Sequence, residues 1–405
     1  MVTKATATAQ EYLEALADEL AVSEARYEQA ERSYHSLGDW LNRDASTIAQ
    51  YSPAVYVQGS FGLGTVIKPI KADAEYDIDA VCELKDLTKA QLTQRELKIL
   101  VGREIEAYRV SKGMHQPLEE RRRCWTLRYA DGAQFHMDVV PALPDGAAMR
   151  AVLEARFLDA QWADPAIGIT DNEHHLYDLV TQDWPHSNPK GYLRWFKSRM
   201  EVIQRRRKQI LADSIRASVE SIPDYKVRTP LQSAIMILKR HRDIMYVNDE
   251  INCCPISIII TTLAGHAYDG EEQIADALLS ILSRMDQFIE RVNGQAYIQN
   301  PSDPLENFAD KWATFPERER AFYEWLAQAR HDFATAAQQV TRTRITDTLS
   351  PHLGAELAKR AEERTTTTSG LLRPATAAVA AAAAANAPHS FGNTARKPTK
   401  PAGFA

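Results

Sequence analysis

Cysteine is scarce in this chain, with four in 405 residues, at positions 82, 124, 253 and 254. Cys82, Cys124, Cys253 and Cys254 show neither the paired spacing of a zinc ribbon nor the density of a disulfide-stapled secreted domain, so reduced, buried thiols are expected. No run of about 18 apolar residues occurs, which removes the ordinary signature of a membrane-spanning helix. Lys4, Glu11 and Glu14 interrupt any apolar core that a signal peptide would need. A cytoplasmic protein without membrane attachment is therefore expected. A strong excess of one charge is also missing: the formal net charge is −6, with 25% charged residues. The basic cluster Arg199, Arg205, Arg206, Arg207 and Lys208 has little aromatic interleaving and reads better as a solvated helix face pairing with Glu201 than as a nucleic-acid surface. Two glycine motifs are absent as well. No Gly-Lys-Ser/Thr follows the glycines near position 60, which excludes a P-loop. Gly59, Gly62 and Gly64 are in the wrong order for a dinucleotide fingerprint.

What the chain does have is QGSFGLGT at 58–65, followed by EYDIDAVCEL at 75–84. Side chains alternate between the faces of a strand, so Asp77 and Asp79 share one face, about 7 Å apart along the strand. Two such carboxylates can converge on a pair of divalent ions of the kind used for in-line phosphoryl displacement. Residues 123–143, RCWTLRYADGAQFHMDVVPAL, read as two strands joined at Asp131-Gly132, a hairpin signal. In the second strand Phe135, Met137 and Val139 alternate with His136, Asp138 and Val140. An acidic residue in an otherwise apolar strand needs a partner, which makes Asp138 the third metal-ligand candidate. Val55–Val57 lead into a tight Gly59-Ser60 turn that opens a helix, whose unpaired N–H groups suit a triphosphate. Taken singly, Asp77 reads as a strand-end carboxylate, Asp138 as an arginine partner and Gly59-Ser60 as an ordinary turn. Their order and spacing together make one constellation.

At 405 residues and 44% hydrophobic the chain can bury a sizeable core and divide into two units. Leu13, Leu16, Leu20, Tyr27, Tyr34, Leu37 and Leu41 predict one long amphipathic helix within residues 1–48, with an interruption near Gly38. Residues 49–186 are expected to hold a mixed sheet and the catalytic centre. Residues 187–345 read as helical, with a hinge at 187–190. Residues 346–405 read as a C-terminal segment that is largely a flexible tail, mobile from about residue 364 onward.

QGSFGLGT, YDIDAV and HMDVVPAL resemble the bacterial cGAS/DncV-like nucleotidyltransferases, the signal-generating enzymes of CBASS anti-phage defence. The resemblance continues in TPLQSAIMILKRHRDIMY (229–246), PISIIITTLAGHAY (255–268) and NPSDPLENFADKW (300–312), and spans about 50–330. It implies an α+β, bilobal fold: a polymerase-β-like nucleotidyltransferase core with a mixed sheet, plus a C-terminal helical lobe. It assigns Asp77, Asp79 and Asp138 to catalysis and to two Mg²⁺ ions, with Mn²⁺ as a substitute. It assigns Gln58, Gly59 and Ser60 to the donor nucleotide, and Lys239 and Ser257 to the donor triphosphate. By residue type alone, Lys239 reads as a solvated helix lysine and Ser257 as a core hydroxyl bonding its own helix. No aromatic beside Ser257 offers a stacking surface for a base.

The resemblance implies NTP substrates and a cyclic di- or trinucleotide messenger. The alternative reading is a template-free transferase adding nucleotides to RNA or to a protein acceptor. It also implies operon-encoded accessory partners, among them a ligase-like protein acting on the C-terminus. Activation by nucleic acid, as in the animal relatives, is disfavoured by the charge balance.

Overall fold

A computed structural model describes residues 4–71, 74–129, 135–215 and 218–368. Among these, α1 (Ala7–Leu20) and α2 (Glu24–Leu41) precede β1 (Pro53–Val57), the short α3 (Gly59–Leu63) and β2 (Tyr76–Leu84). After α4 (Gln94–Ser111) come β3 (Glu119–Glu120), β4 (Trp125–Tyr129) and β5 (Phe135–Pro144). Then follow α5 (Gly146–Ala155), β6 (Ile167–Ile169) and β7 (His186–Ser187). The sheet order is β1-β2-β5-β4-β3, with β6 beside the far end of β5 and β7 beyond it. β2 and β5 are parallel and the other pairings antiparallel, so the sheet is mixed.

Alternation along β2 and β5 sorts the side chains. Ile78, Ala80, Met137 and Val139 are buried on one face, where Leu37 and Leu41 of α2 and Leu97, Val101 and Ile105 of α4 cover them. α4 begins with a capping box in which Thr93 and Glu96 satisfy each other's backbone N–H groups. The opposite face, left without these helices, carries the acidic residues.

The helical lobe runs through α6 (Pro189–Ile215), α7 (Pro230–Met245), α8 (Ser257–Ala267), α9 (Ile274–Arg284), α10 (Pro316–Ala337), α11 (Arg342–Leu353) and α12 (Ala355–Thr368). Its core joins Leu231, Ile235 and Leu238 of α7 to Leu278 and Ile281 of α9 and to Phe322, Trp325 and Phe333 of α10. Where the lobes meet, in the segment expected as a hinge, Asn188 is buried. Its Nδ2 donates to Trp162 O at 2.7 Å and to Ser302 O at 2.9 Å.

Two expectations are corrected. The long N-terminal helix is two helices: the chain is extended at Ala21, Ser23 caps α2, and α2 runs through Gly38 without a break. The break lets two apolar stripes serve two cores, with Tyr12, Leu16 and Leu20 joining the helical lobe and Leu37 and Leu41 the sheet. The C-terminal segment also stays helical past residue 364, where a mobile tail was expected to start, because α12 reaches Thr368. Ile345, Leu349, Leu353, Leu357 and Ala361 recur at helical spacing and are buried, and α12 packs along α1. Residues 369–405 and the Asp131-Gly132 turn lie outside the described residues, although the strands on either side of that turn pair antiparallel. No described helix is long and apolar enough to cross a membrane, and the cysteines form no disulfide.

Candidate active site

Parallel pairing of β2 with β5 sets Asp79 opposite Asp138 and Asp77 opposite His136. All four therefore stand on the sheet face that α2 and α4 leave uncovered. Asp77 is exposed, whereas Asp79, His136 and Asp138 are half-buried. The register of β4 places Thr126 beside Asp138, and its hydroxyl donates to Asp138 Oδ1. His136 bridges two carboxylates, with Nδ1 3.2 Å from Glu75 Oε2 and Nε2 3.4 Å from Asp77 Oδ1. Asp77, His136 and Asp138 each offer a ligand atom, and these atoms lie within 4.8 Å of one another.

Crowding of like charge marks the site. Burial, then the neighbouring Asp77 and Asp138, push the Asp79 carboxyl up to about 7, while His136 and Lys239 pull the other way. Asp77 is raised by burial and then by Asp138. Carboxylates that hold each other's pKa up in this way would be relieved by a cation between them. Their hard oxygen donors suit Mg²⁺ or Mn²⁺.

The Gly-Ser turn closes over this face. Gln58 caps α3, and its backbone N–H donates to Asp79 O at 2.8 Å, which fixes the turn to the acidic strand. Gly59 has φ +59°, and a Cβ there would lie 2.1 Å from Asp79 Oδ2, so both the conformation and the close approach require glycine. Ser60 is half-buried in the first turn of α3, where the leading N–H groups lack intrahelical acceptors.

From the other lobe, α7 holds the loop after α3. It starts with a capping box, Thr229 with Gln232, behind Pro230. Gln232 Nε2 donates to Leu63 O at 2.9 Å, Lys239 Nζ to Thr65 O at 3.0 Å, and Arg240 to Lys68 O. Lys239 is thus buried rather than solvated. Burial, then Arg242, brings its pKa down to about 8, against an opposing pull from Asp243 and Asp79. Ser257 opens α8, and Arg242 Nη2 lies 3.1 Å from its hydroxyl, so one arginine on α7 ties Ser257 to the helix that carries Lys239.

Arg242, Thr126 and His136 were not among the expected site residues. The alternation of β5 already put His136 beside Asp138. Thr126 and Arg242 depend on strand register and interhelix packing, which carry no local signal. The basic cluster is engaged by its own chain: Arg199 with Gly265 O and Tyr268 O, Arg205 with Glu201, Arg206 and Arg207 with Glu272, and Lys208 with Asp224.

Residues 53–141 match the family described as cyclic GMP-AMP synthase DncV-like, nucleotidyltransferase domain. A c-di-GMP synthase of Roseivirga ehrenbergii is 27% identical over 320 residues, covering 78% of this chain and 77% of its own length. The CD-NTase CdnG of Bradyrhizobium diazoefficiens, solved with GTP, superposes with a TM-score of 0.65 at 19% identity, over 88% of this chain and 99% of that one. The cyclic AMP-GMP synthase DncV of Vibrio cholerae, solved with a linear intermediate, gives 0.53 at 12% identity, over 88% and 98%. At such identities these two likenesses are of fold. With the family match over the carboxylate strands, residues 53–141 form a DncV-like nucleotidyltransferase domain, within a chain that is similar over most of its length to a cyclic-dinucleotide synthase.

Proposed function

We propose that this enzyme joins NTPs into a cyclic di- or trinucleotide messenger that activates an anti-phage effector, with Asp77, Asp79 and Asp138 as its catalytic carboxylates. The observation that carries the site assignment is the β2–β5 register, which sets Asp79 against Asp138 beneath the Gly59-Ser60 turn. The relative that makes c-di-GMP supports a cyclic product. Two Mg²⁺ ions, or Mn²⁺ in their place, fit the three carboxylates, and when bound would supply charge neutralisation on the phosphates and a more acidic acceptor hydroxyl.

The chain's own residues do the rest. The N–H groups at the start of α3 and the Ser60 hydroxyl orient the donor phosphates, with Gln58 holding the turn against Asp79. Lys239 adds a positive charge behind that turn, and Ser257, positioned by Arg242, offers a further hydroxyl to the same phosphates. Asp138, fixed through one oxygen by Thr126, receives the proton of the acceptor ribose hydroxyl as that oxygen attacks the α-phosphorus. Pyrophosphate leaves, and the linear product turns in the cleft between the lobes for the closing step. We further propose that residues beyond 368 serve as the handle for a ligase-like accessory protein.

Purified protein incubated with Mg²⁺ and all four NTPs, followed by phosphatase treatment and mass spectrometry, tests this. A phosphatase-resistant cyclic product formed from NTPs alone supports the proposal. Transfer that requires added RNA or protein overturns it in favour of an acceptor-dependent transferase.

A further inference from the structure

On the far side of α7 from the nucleotide turn, α7, α10 and α11 bring His241, Asp332 and His352 together. His241 follows Lys239 by two positions, roughly 200° around the helix at about 100° per residue, so the two side chains point to opposite sides. His241 and Asp332 are buried, whereas the His352 side chain is 28% exposed. His241 Nε2 lies 3.1 Å, and His352 Nδ1 2.7 Å, from the same oxygen, Asp332 Oδ2. The ligand atoms of the three residues all lie within 4.8 Å of one another.

Gln328, one turn earlier on α10, donates to Asp332 Oδ1 at 2.8 Å and so holds the carboxylate in place, as outer partners do for ligating carboxylates. The other ring nitrogen of His241, Nδ1, is buried and takes no hydrogen-bond partner among the described residues. The bond to Asp332 therefore leaves a polar atom of this imidazole unused in apolar surroundings. Nucleotidyl transfer uses none of these groups.

We propose that His241, Asp332 and His352 form a site for one zinc-class divalent cation, Zn²⁺ being the ion the donor set fits best. Two imidazole nitrogens and one carboxylate oxygen favour Zn²⁺ over Mg²⁺, which prefers oxygen ligands throughout. Ligand atoms in a tetrahedral zinc site stand about 3.3 Å apart, and the Asp332 oxygen already lies 3.1 Å and 2.7 Å from the two imidazole nitrogens. The partly exposed His352 side chain gives the ion a route in from solvent. A cation here would clip α7, which carries Lys239, to the helices that pack with α12 and α1.

The test uses full-length protein with Asp77→Ala and Asp79→Ala, so that the carboxylate site does not contribute. After stripping with chelator, the protein is loaded with Zn²⁺, dialysed and assayed for metal by mass spectrometry. Retention of about one Zn²⁺ per chain is expected, with a rise in Tm of several degrees in micromolar Zn²⁺ that millimolar Mg²⁺ does not reproduce. Adding His352→Ala should abolish both, with the circular dichroism of the metal-free protein unchanged. Failure to retain zinc, or equal retention with His352→Ala, as binding through Cys253 and Cys254 would give, overturns the proposal. Should His352→Ala not fold, the protein with an intact His352 is loaded with Co²⁺. Visible absorption bands of a tetrahedral nitrogen-ligated ion are then expected, and their absence counts against the site.

Discussion

The crowded carboxylates make a prediction that runs against intuition: removing one of their charges should stabilise the metal-free protein. Asp79 has its pKa pushed up to about 7 from 3.8 by burial and by Asp77 and Asp138. A carboxyl whose folded pKa is raised contributes nothing adverse below its unfolded value, and then costs stability as pH rises from about 4 through about 7. The full shift of about three units corresponds to about 4 kcal/mol at 1.36 kcal/mol per unit. Asp79 is only half-buried and keeps some solvent, which brings the expected penalty to about 2–4 kcal/mol at pH 8. Asp79→Asn in metal-free buffer should therefore be more stable than wild type by that amount. With an unfolding entropy of about 0.8 kcal/mol/K for a chain of this length, the difference in Tm is about 3–5 °C. The gap should shrink to about 1 kcal/mol at about pH 5 and vanish below about pH 4. Saturating Mg²⁺ should stabilise only the wild type, and so narrow or reverse the order. Calorimetry at these pH values, with and without Mg²⁺, reads every part. Equal metal-free stability at pH 8, or a gap that ignores pH, would refute the electrostatic account.

Other expectations follow from single contacts. Gly59→Ala places a methyl against Asp79 Oδ2 at a positive φ. It should cut kcat by about 100-fold or more while far-UV circular dichroism stays native. Thr126→Val removes the hydrogen bond that holds Asp138 and should lower kcat about tenfold with KM for NTP little changed, a split that steady-state kinetics resolves. Lys239 loses its charge as pH rises through about 8, so KM for NTP should climb above that pH in wild type and stay flat in Lys239→Met. Deleting 388–405 should leave synthesis from NTPs intact, checked by product yield, while abolishing conjugation to any ligase-like partner.

The part of the site written in short-range pattern was legible in the sequence. Strand alternation alone put Asp77 and Asp79 on one face and Asp138 on a polar face of its own strand. Glycine chemistry marked the turn at 59–60. The parallel register that seats Asp79 beside Asp138 was not legible, because α4 and two further strands separate β2 from β5 and no local signal sets their offset. The clamp of α7 on the loop after α3, through Gln232, Lys239 and Arg240, is likewise a contact across some 170 residues. Lys239 could be named only through family resemblance, since residue type suggested a solvated lysine. The heptad-like stripe at the N-terminus misled because spacing alone cannot show that two halves of one pattern face different cores. The expected start of the tail near 364 came out a few residues early, because the stripe of Ile345, Leu349, Leu353, Leu357 and Ala361 carries α12 on to Thr368. The cluster of His241, Asp332 and His352 has no sequence signature, since three helices deliver one residue each.

The central claim is that one face of β2 and β5 carries the chemistry. Pyrophosphate release from NTPs, measured in Mg²⁺ for wild type and for Asp77→Ala, Asp79→Ala and Asp138→Ala in turn, tests it most directly. The account predicts turnover by the wild type and a loss of about 10³-fold or more in each variant, with circular dichroism unchanged. Turnover within tenfold of wild type in any of the three folded variants would contradict it.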